Sequence, residues 1–310
     1  MVCQNNVFRV KTGYMKIIRF LKIAFITIFG LLMISNANAM LTIVAAENVY
    51  GDVAQEIGGP YVSVHSILTN PTQDPHLFST TPSTAKMIDN ANIIIYNGAN
   101  YDPWIFSLLT FKGQENRKII DVSTLLKIPT IDNPHIWYFP DTLPLFAAAL
   151  VDQLSKMDPA HQDYFKTQLK QFMKDYAVIY KKIAELKKQF AGMPVIATEP
   201  IYGYMVNYLD LKMQAQGFQI NMMNDIPPTI SQIKAFENDL HQHKVRVMIY
   251  NDQVVNPLTE RMRTIANSEG IPVVGISETL PPHLHYIQWM MSELTVFEKA
   301  LAENQGTHNE

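Results

Sequence analysis

From residue 40 onward the apolar positions follow two alternating rhythms. Leu41–Ala46 is a short unbroken apolar run, the mark of a strand buried on both faces. Val49–Ile57 changes to three- and four-residue spacing and stops at Gly58-Gly59, which predicts a helix. Tyr61–Leu68 reads as strand again. Thr81-Pro82-Ser83 opens a helix, because proline's fixed φ suits the first turn. Ala91–Tyr96 and Lys118–Val122 predict two more strands, and Asp141–Met157 a helix with Asp141 or Thr142 as its cap.

The segment 161–190 contains neither Gly nor Pro. Phe165, Leu169, Phe172, Tyr176, Ile179, Ile183 and Leu186 recur along it at helical spacing, so it predicts one amphipathic helix long enough to cross a domain. A coiled coil has the same rhythm, but this run is short and isolated. After Gly192 the first pattern resumes, with strands at Pro194–Thr198, Val245–Tyr250 and Pro272–Ile276. Helices are predicted near Ile230–His241 and Pro257–Ser268, and a closing one over His285–Ala302. Such alternation implies parallel sheets covered by helices. The predicted fold class is α/β: two lobes with mainly parallel sheets joined by a long rigid backbone helix. The divisions fall at 40–158, 159–191 and 192–310, with no repeat of short period and no low-complexity segment.

Residues 1–39 stand apart. Lys16, Arg19 and Lys22 precede the uncharged apolar run Ile23–Ile34, and Asn36-Ala37-Asn38-Ala39 supplies small residues for cleavage. This is the layout of a secretory signal peptide, too short for a membrane span, and it predicts a periplasmic protein. The only cysteine, Cys3, lies in that segment, so the mature chain has neither a disulfide nor a lipid-anchor thiol at the cleavage site. Removing 1–39 takes away five of the 25 Lys and Arg and none of the 28 Asp and Glu, leaving a net charge of −8. There is no basic stripe, which excludes nucleic acid as a partner.

In folds of this class ligands sit beyond the carboxyl ends of the strands. Asp74-Pro75-His76 follows the second predicted strand, and Asn133-Pro134-His135 follows the fourth after a loop. Glu199 and Ser277-Glu278 follow strands of the second half. Alone, each has a plainer reading, as a surface histidine or a solvated glutamate. Together they are two imidazoles and two carboxylates, a set that suits a divalent transition metal held between the halves.

These residues also carry a resemblance. The segments AAENVYGDVAQEIGG (45–59), DPHLFSTTPSTAKMIDNANIIIYNGANYDPW (74–104), NPHIWYFPDTLP (133–144), ATEPIYGYMVNYLDL (197–211) and IPVVGISETLPP (271–282) resemble, in order, the zinc- and manganese-type periplasmic solute-binding proteins of metal ABC transporters. The resemblance implies the two-lobed fold with a backbone helix. It implies a zinc or manganese ion as cargo, an ABC permease in the inner membrane as partner, a monomer, and no enzyme activity. It assigns the metal to His76, His135, Glu199 and Glu278. Asp252 is the rival for the last position, where many relatives carry Asp.

Two departures bear on the site. Leu125–Asn133 is short and holds no histidine, whereas many zinc-type relatives have a His-rich acidic loop there. His283 and His285 closely follow Glu278, as surface residues or as auxiliary contacts. Glu47 and Asn48 follow the first strand and are candidates to orient a ligand histidine, with Asn48 as a helix cap the alternative. Tyr101, Trp104, Trp137 and Tyr138 read as cleft walls or core. The competing functions are a metal-dependent hydrolase, against which stands the lack of an HExxH motif, and a surface adhesin on the same fold.

Overall fold

The computed structural model describes residues 40–72, 77–110, 116–126, 133–254 and 256–303. The segment 1–39 and the proposed ligand His76 lie outside the described residues.

The apolar runs of the first half become the four strands β1 (Leu41–Glu47), β2 (Val62–Leu68), β3 (Ile93–Tyr96) and β4 (Lys118–Asp121), all parallel and ordered β2-β1-β3-β4. Every residue of β3 is buried, as its all-apolar sequence requires. The helices α1 (Asn48–Gly58), α2 (Pro82–Asn90), α3 (Ile105–Leu109) and α4 (Thr142–Met157) belong to this half. Thr81 starts α2 as expected: its side chain accepts the Thr84 N–H at 3.2 Å. Asp141 does not cap α4. Its Oδ1 instead accepts the Tyr180 hydroxyl at 2.7 Å, and Thr142 donates to the Ile136 carbonyl.

The long helix α5 (Gln162–Phe190) follows a short 3₁₀ turn at Pro159–His161. Its 29 residues reach about 44 Å at 1.5 Å each. Its inner face is Phe165, Phe172, Tyr176, Ile179, Ile183, Leu186 and Phe190. These side chains belong to one continuous core that also takes in Ile43 and Ile95 of the first sheet and Val195 and Ile249 of the second half. Packing against α1 and α4, and against the last helix, α10 (Tyr286–Glu303), makes α5 a spine rather than a coiled-coil strand.

The second half repeats the plan with β5 (Pro194–Ala197), β6 (Lys212–Gln214), β7 (Met248–Asn251) and β8 (Val273–Ile276), again all parallel, in the order β6-β5-β7-β8. The remaining helices are α6 (Gly203–Tyr208), α7 (Gln216–Met223), α8 (Ile230–His241) and α9 (Pro257–Ser268). Sequence periodicity misses β6, α3, α6 and α7 because each is too short to show a period. It also opens β7 three residues early.

The two sheets match in register as well as order. Ala45 pairs with Ile95, which pairs with Ile120; Ala197 pairs with Ile249, which pairs with Val274. Superposed on that register, Ala45-Ala46-Glu47-Asn48-Val49-Tyr50-Gly51 meets Ala197-Thr198-Glu199-Pro200-Ile201-Tyr202-Gly203. Ile95-Tyr96-Asn97 meets Ile249-Tyr250-Asn251, and Val122-Ser123 meets Ile276-Ser277. The lobes are therefore echoes of one another, and Glu47 and Glu199 stand at equivalent corners.

At the first corner sits a buried acid pair. The Asn97 N–H donates to Glu47 Oε2 at 3.1 Å and to Asp102 Oδ2 at 2.8 Å, and the Gly98 N–H donates to Asp102 Oδ1 at 3.1 Å. Gly98 has a φ of 73°, and a Cβ there would strike Asp121, so only glycine fits the turn. Burial pushes the Glu47 carboxyl well up, and the neighbouring Asp102 charge adds to it. Burial also raises Asp102, to about 6. The pair thus keeps a proton that an exposed pair would release. The two halves are also tied directly at this edge. Asn48 Nδ2 donates to the Leu280 carbonyl at 2.8 Å, and its Oδ1 accepts the Leu280 N–H at 2.9 Å.

The folded pair holds its proton to higher pH than the unfolded chain, so it contributes stability that is present below about pH 4 and lost as pH rises through about 6. Glu47→Gln keeps a donor toward Asp102 without a titrating proton. Thermal melts of metal-stripped protein should show the variant gaining about 1–3 kcal/mol over the parent at pH 8 and little at pH 4. Asn48→Ala removes both bonds to Leu280. It should lose about 1–2 kcal/mol of stability and speed hydrogen exchange at the Leu280 amide more than at β1 amides.

Candidate metal centre

Of the four residues assigned to the metal, His135 faces Glu278, and Glu199 is joined to Glu278 through Asn251. Glu199 follows β5 and Glu278 follows β8, and both are buried, at 3% and 1% exposure. His135, from the segment after β4, is fully buried, and its Nε2 faces Glu278 Oε2 at 3.7 Å. The sequence folds so because each residue lies one or two positions past a strand, or on a loop held against those ends.

Asn133 sets the imidazole. Its Oδ1 accepts the His135 backbone N–H at 3.1 Å and lies 2.7 Å from His135 Nδ1. An oxygen already accepting one N–H requires Nδ1 to be the second donor. In the neutral ring the proton thus sits on Nδ1 and the lone pair on Nε2, the tautomer a metal ligand needs. The Asn133 amide donates to the Pro200 carbonyl at 2.6 Å, the Tyr204 hydroxyl donates to the Asn133 carbonyl at 2.7 Å, and Asn97 Nδ2 donates to the Pro134 carbonyl at 2.8 Å. The histidine segment is thus fastened to both halves.

The carboxylates are held by neutral donors. Asn251, the last residue of β7, gives its amide to Glu199 Oε2 at 3.0 Å and to Glu278 Oε1. The Tyr101 hydroxyl donates to Glu278 Oε2 at 2.5 Å. Burial and the Glu278 charge raise the Tyr101 phenol well up, so it remains a donor. The Tyr101 ring stands edge-on to Trp137 at 4.9 Å and to His135 at 5.9 Å, which walls this side of the site with aromatic surface. Among the described residues no three His, Cys, Asp or Glu side chains converge closely enough, as they lie, to hold an ion.

The other candidates are exposed or engaged by other partners. Asp252 is exposed, while its neighbours Asn251 and Gln253 are buried and make the bonds toward Glu278. His283 is exposed in the left-handed region, with a φ of 68°. His285 is exposed and its Nδ1 is 2.7 Å from Asp52 Oδ1, a bond that raises its pKa; Asp52 also accepts the Tyr286 N–H that opens α10. Glu47 belongs to the acid pair, and Asn48 grips Leu280 rather than capping α1. Asn133, Asn251 and Gln253 escaped the sequence reading. The search there was for ion ligands, and amides carry no such signature.

A family described as zinc-uptake complex component A periplasmic (ZnuA) matches residues 43–300. The metal ABC transporter substrate-binding lipoprotein ScbA of Streptococcus cristatus is 24% identical over 284 residues, covering 84% of this chain and 88% of that protein. The manganese ABC transporter substrate-binding lipoprotein PsaA of Streptococcus mitis is 25% identical over 251 residues, covering 75% and 78%. Among solved structures, the periplasmic zinc binding protein TroA of Treponema pallidum has a TM-score of 0.69 at 17% identity, covering 85% of this chain and all of that one. A manganese-bound periplasmic metal binding protein of Candidatus Liberibacter asiaticus has a TM-score of 0.67 at 18% identity, covering 84% and 99%. The structures speak for the fold, which is the one expected. The family and the named relatives are transport receptors, so the hydrolase alternative falls away. The chain is a member of the zinc-uptake complex component A family, the substrate-binding proteins of metal ABC transporters.

Proposed function

We propose that this protein captures a divalent transition metal in the periplasm and hands it to an ABC importer in the inner membrane, with zinc favoured over manganese. The observation that carries the reading is His135 Nε2 facing Glu278 Oε2 at 3.7 Å, with Glu199 tied to Glu278 through the Asn251 amide: three buried potential ligands drawn from both halves of the chain. His76 completes the set in this proposal. The family membership supports transport, and the names of relatives supply both zinc and manganese. The preference for zinc rests on the general affinity order at nitrogen and oxygen sites.

An ion entering here meets carboxylates already bonded to Asn251 and Tyr101. Each carboxylate oxygen has a second lone pair, so the glutamates can ligate an ion while the amide and phenol hydrogen bonds persist. Those donors spread charge that would otherwise repel between the two glutamates. The long helix α5 and the continuous core favour local side-chain rotation over a wide swing of the lobes. We place the start of the mature chain after residue 39 and take it to be a monomer; the sequence's one cysteine, Cys3, precedes that point, which supports a soluble form without a lipid anchor. Division into 40–158, 159–191 and 192–310 is part of the same reading.

Calorimetric titration of the metal-stripped mature protein with zinc and with manganese tests this. One-to-one binding is expected, tighter for zinc. It should weaken by at least about 100-fold, roughly 2.7 kcal/mol, in His76→Ala and in His135→Ala. Affinity should fall below about pH 6, where free imidazole takes up protons. An intact protein that binds neither metal would leave the interaction-protein alternative standing.

A further inference from the structure

We infer that Asn251 is a positioning residue for metal capture, an amide clip that fixes the spacing of Glu199 and Glu278. This rests on the metal-capture reading above.

The clip is built from behind. Asn251 Oδ1 accepts the Gln253 backbone N–H at 3.1 Å, which turns the NH₂ group toward the carboxylates and leaves only one sensible orientation of the amide. One proton goes to Glu199 Oε2 at 3.0 Å and the other to Glu278 Oε1. The Gln253 side chain then clamps the peptide that carries Glu278: its Oε1 accepts the Glu278 N–H at 2.5 Å and the Thr279 N–H at 3.0 Å. Asn251, Gln253 and both glutamates are buried. The strand end of β7 thereby sets where both acidic groups stand.

The other lobe supplies an internal comparison. Asn97 occupies the equivalent place after β3, beside an equivalent tyrosine, and its Oδ1 accepts the Tyr50 hydroxyl at 2.6 Å. The same pair exists in the second lobe as Asn251 and Tyr202. There the amide is turned to the carboxylates, and the buried Tyr202 hydroxyl has no hydrogen-bond partner among the described residues. An unpaired buried hydroxyl is unfavourable. The second lobe tolerates it where the amide serves two acids instead.

The distance between two carboxylates decides how well they fit ions of different size and coordination number. Removing the clip should therefore change selectivity, which a general loss of stability would not. The test is chelator-competition titration of the metal-stripped full mature protein with zinc and manganese, for the parent, Asn251→Ala, Gln253→Ala and Glu278→Ala. Expected are a 10- to 100-fold loss of zinc affinity in Asn251→Ala, as for other groups that orient ligands, and a several-fold change in the zinc-to-manganese ratio. Gln253→Ala should shift both in the same direction, which keeps the test meaningful if one variant folds poorly; circular dichroism identifies the folded ones. Parent-like affinity and ratio in folded Asn251→Ala, with loss in Glu278→Ala, would overturn the clip and spare the capture reading. No binding by the parent would overturn both.

Discussion

Two glutamates withdrawn almost wholly from water at the edge of the second sheet are the constraint around which this end of the molecule is organised. A buried carboxylate without compensation is strongly unfavourable, and Glu199 and Glu278 stand close enough to share one amide. The chain compensates with neutral donors, Asn251 and Tyr101, and with the Gln253 clamp on the Glu278 peptide. The result is two buried acidic groups held in fixed places by neutral donors. The other lobe solves the same difficulty at Glu47 differently, by keeping a proton.

The spine helix makes that arrangement possible. α5 contributes to a core that runs unbroken through both sheets, so the carboxyl edges of β1 and β3 are held facing those of β5, β7 and β8. The Asn48–Leu280 pair and the Asp52 bonds to His285 and Tyr286 fasten the same edge from outside. Precision at the site is inherited from packing that lies well away from it.

Much of this was legible in the chain. The apolar runs and the 161–190 periodicity carry the two sheets and the spine, because burial on both faces and along one helical stripe leaves a direct trace in sequence. The places after strands led to His135, Glu199 and Glu278. What was not legible had a physical reason. β6 and three short helices hold too few residues for a period. Asp141 looks like a cap, but its carboxylate is taken by Tyr180 from across the core. Asn133 and Asn251 are ordinary amides until their partners, distant in sequence, are known. The likeness of the two halves is sparse in sequence, and only strand register aligns Glu47 with Glu199 and Asn97 with Asn251.

That likeness suggests a molecule that could be cut in two, and the histidine segment says otherwise. Residues 133–135 precede the spine and belong by order to the first lobe, yet Pro200 and Tyr204 of the second hold Asn133, while Asn97 of the first holds Pro134. A fragment ending before α5 would carry His135 with half its moorings gone, and the complementary fragment would lack the imidazole altogether. The topology is modular and the corner around His135 is not, so mixing halves from different relatives would trade away the one alignment that neither half encodes by itself.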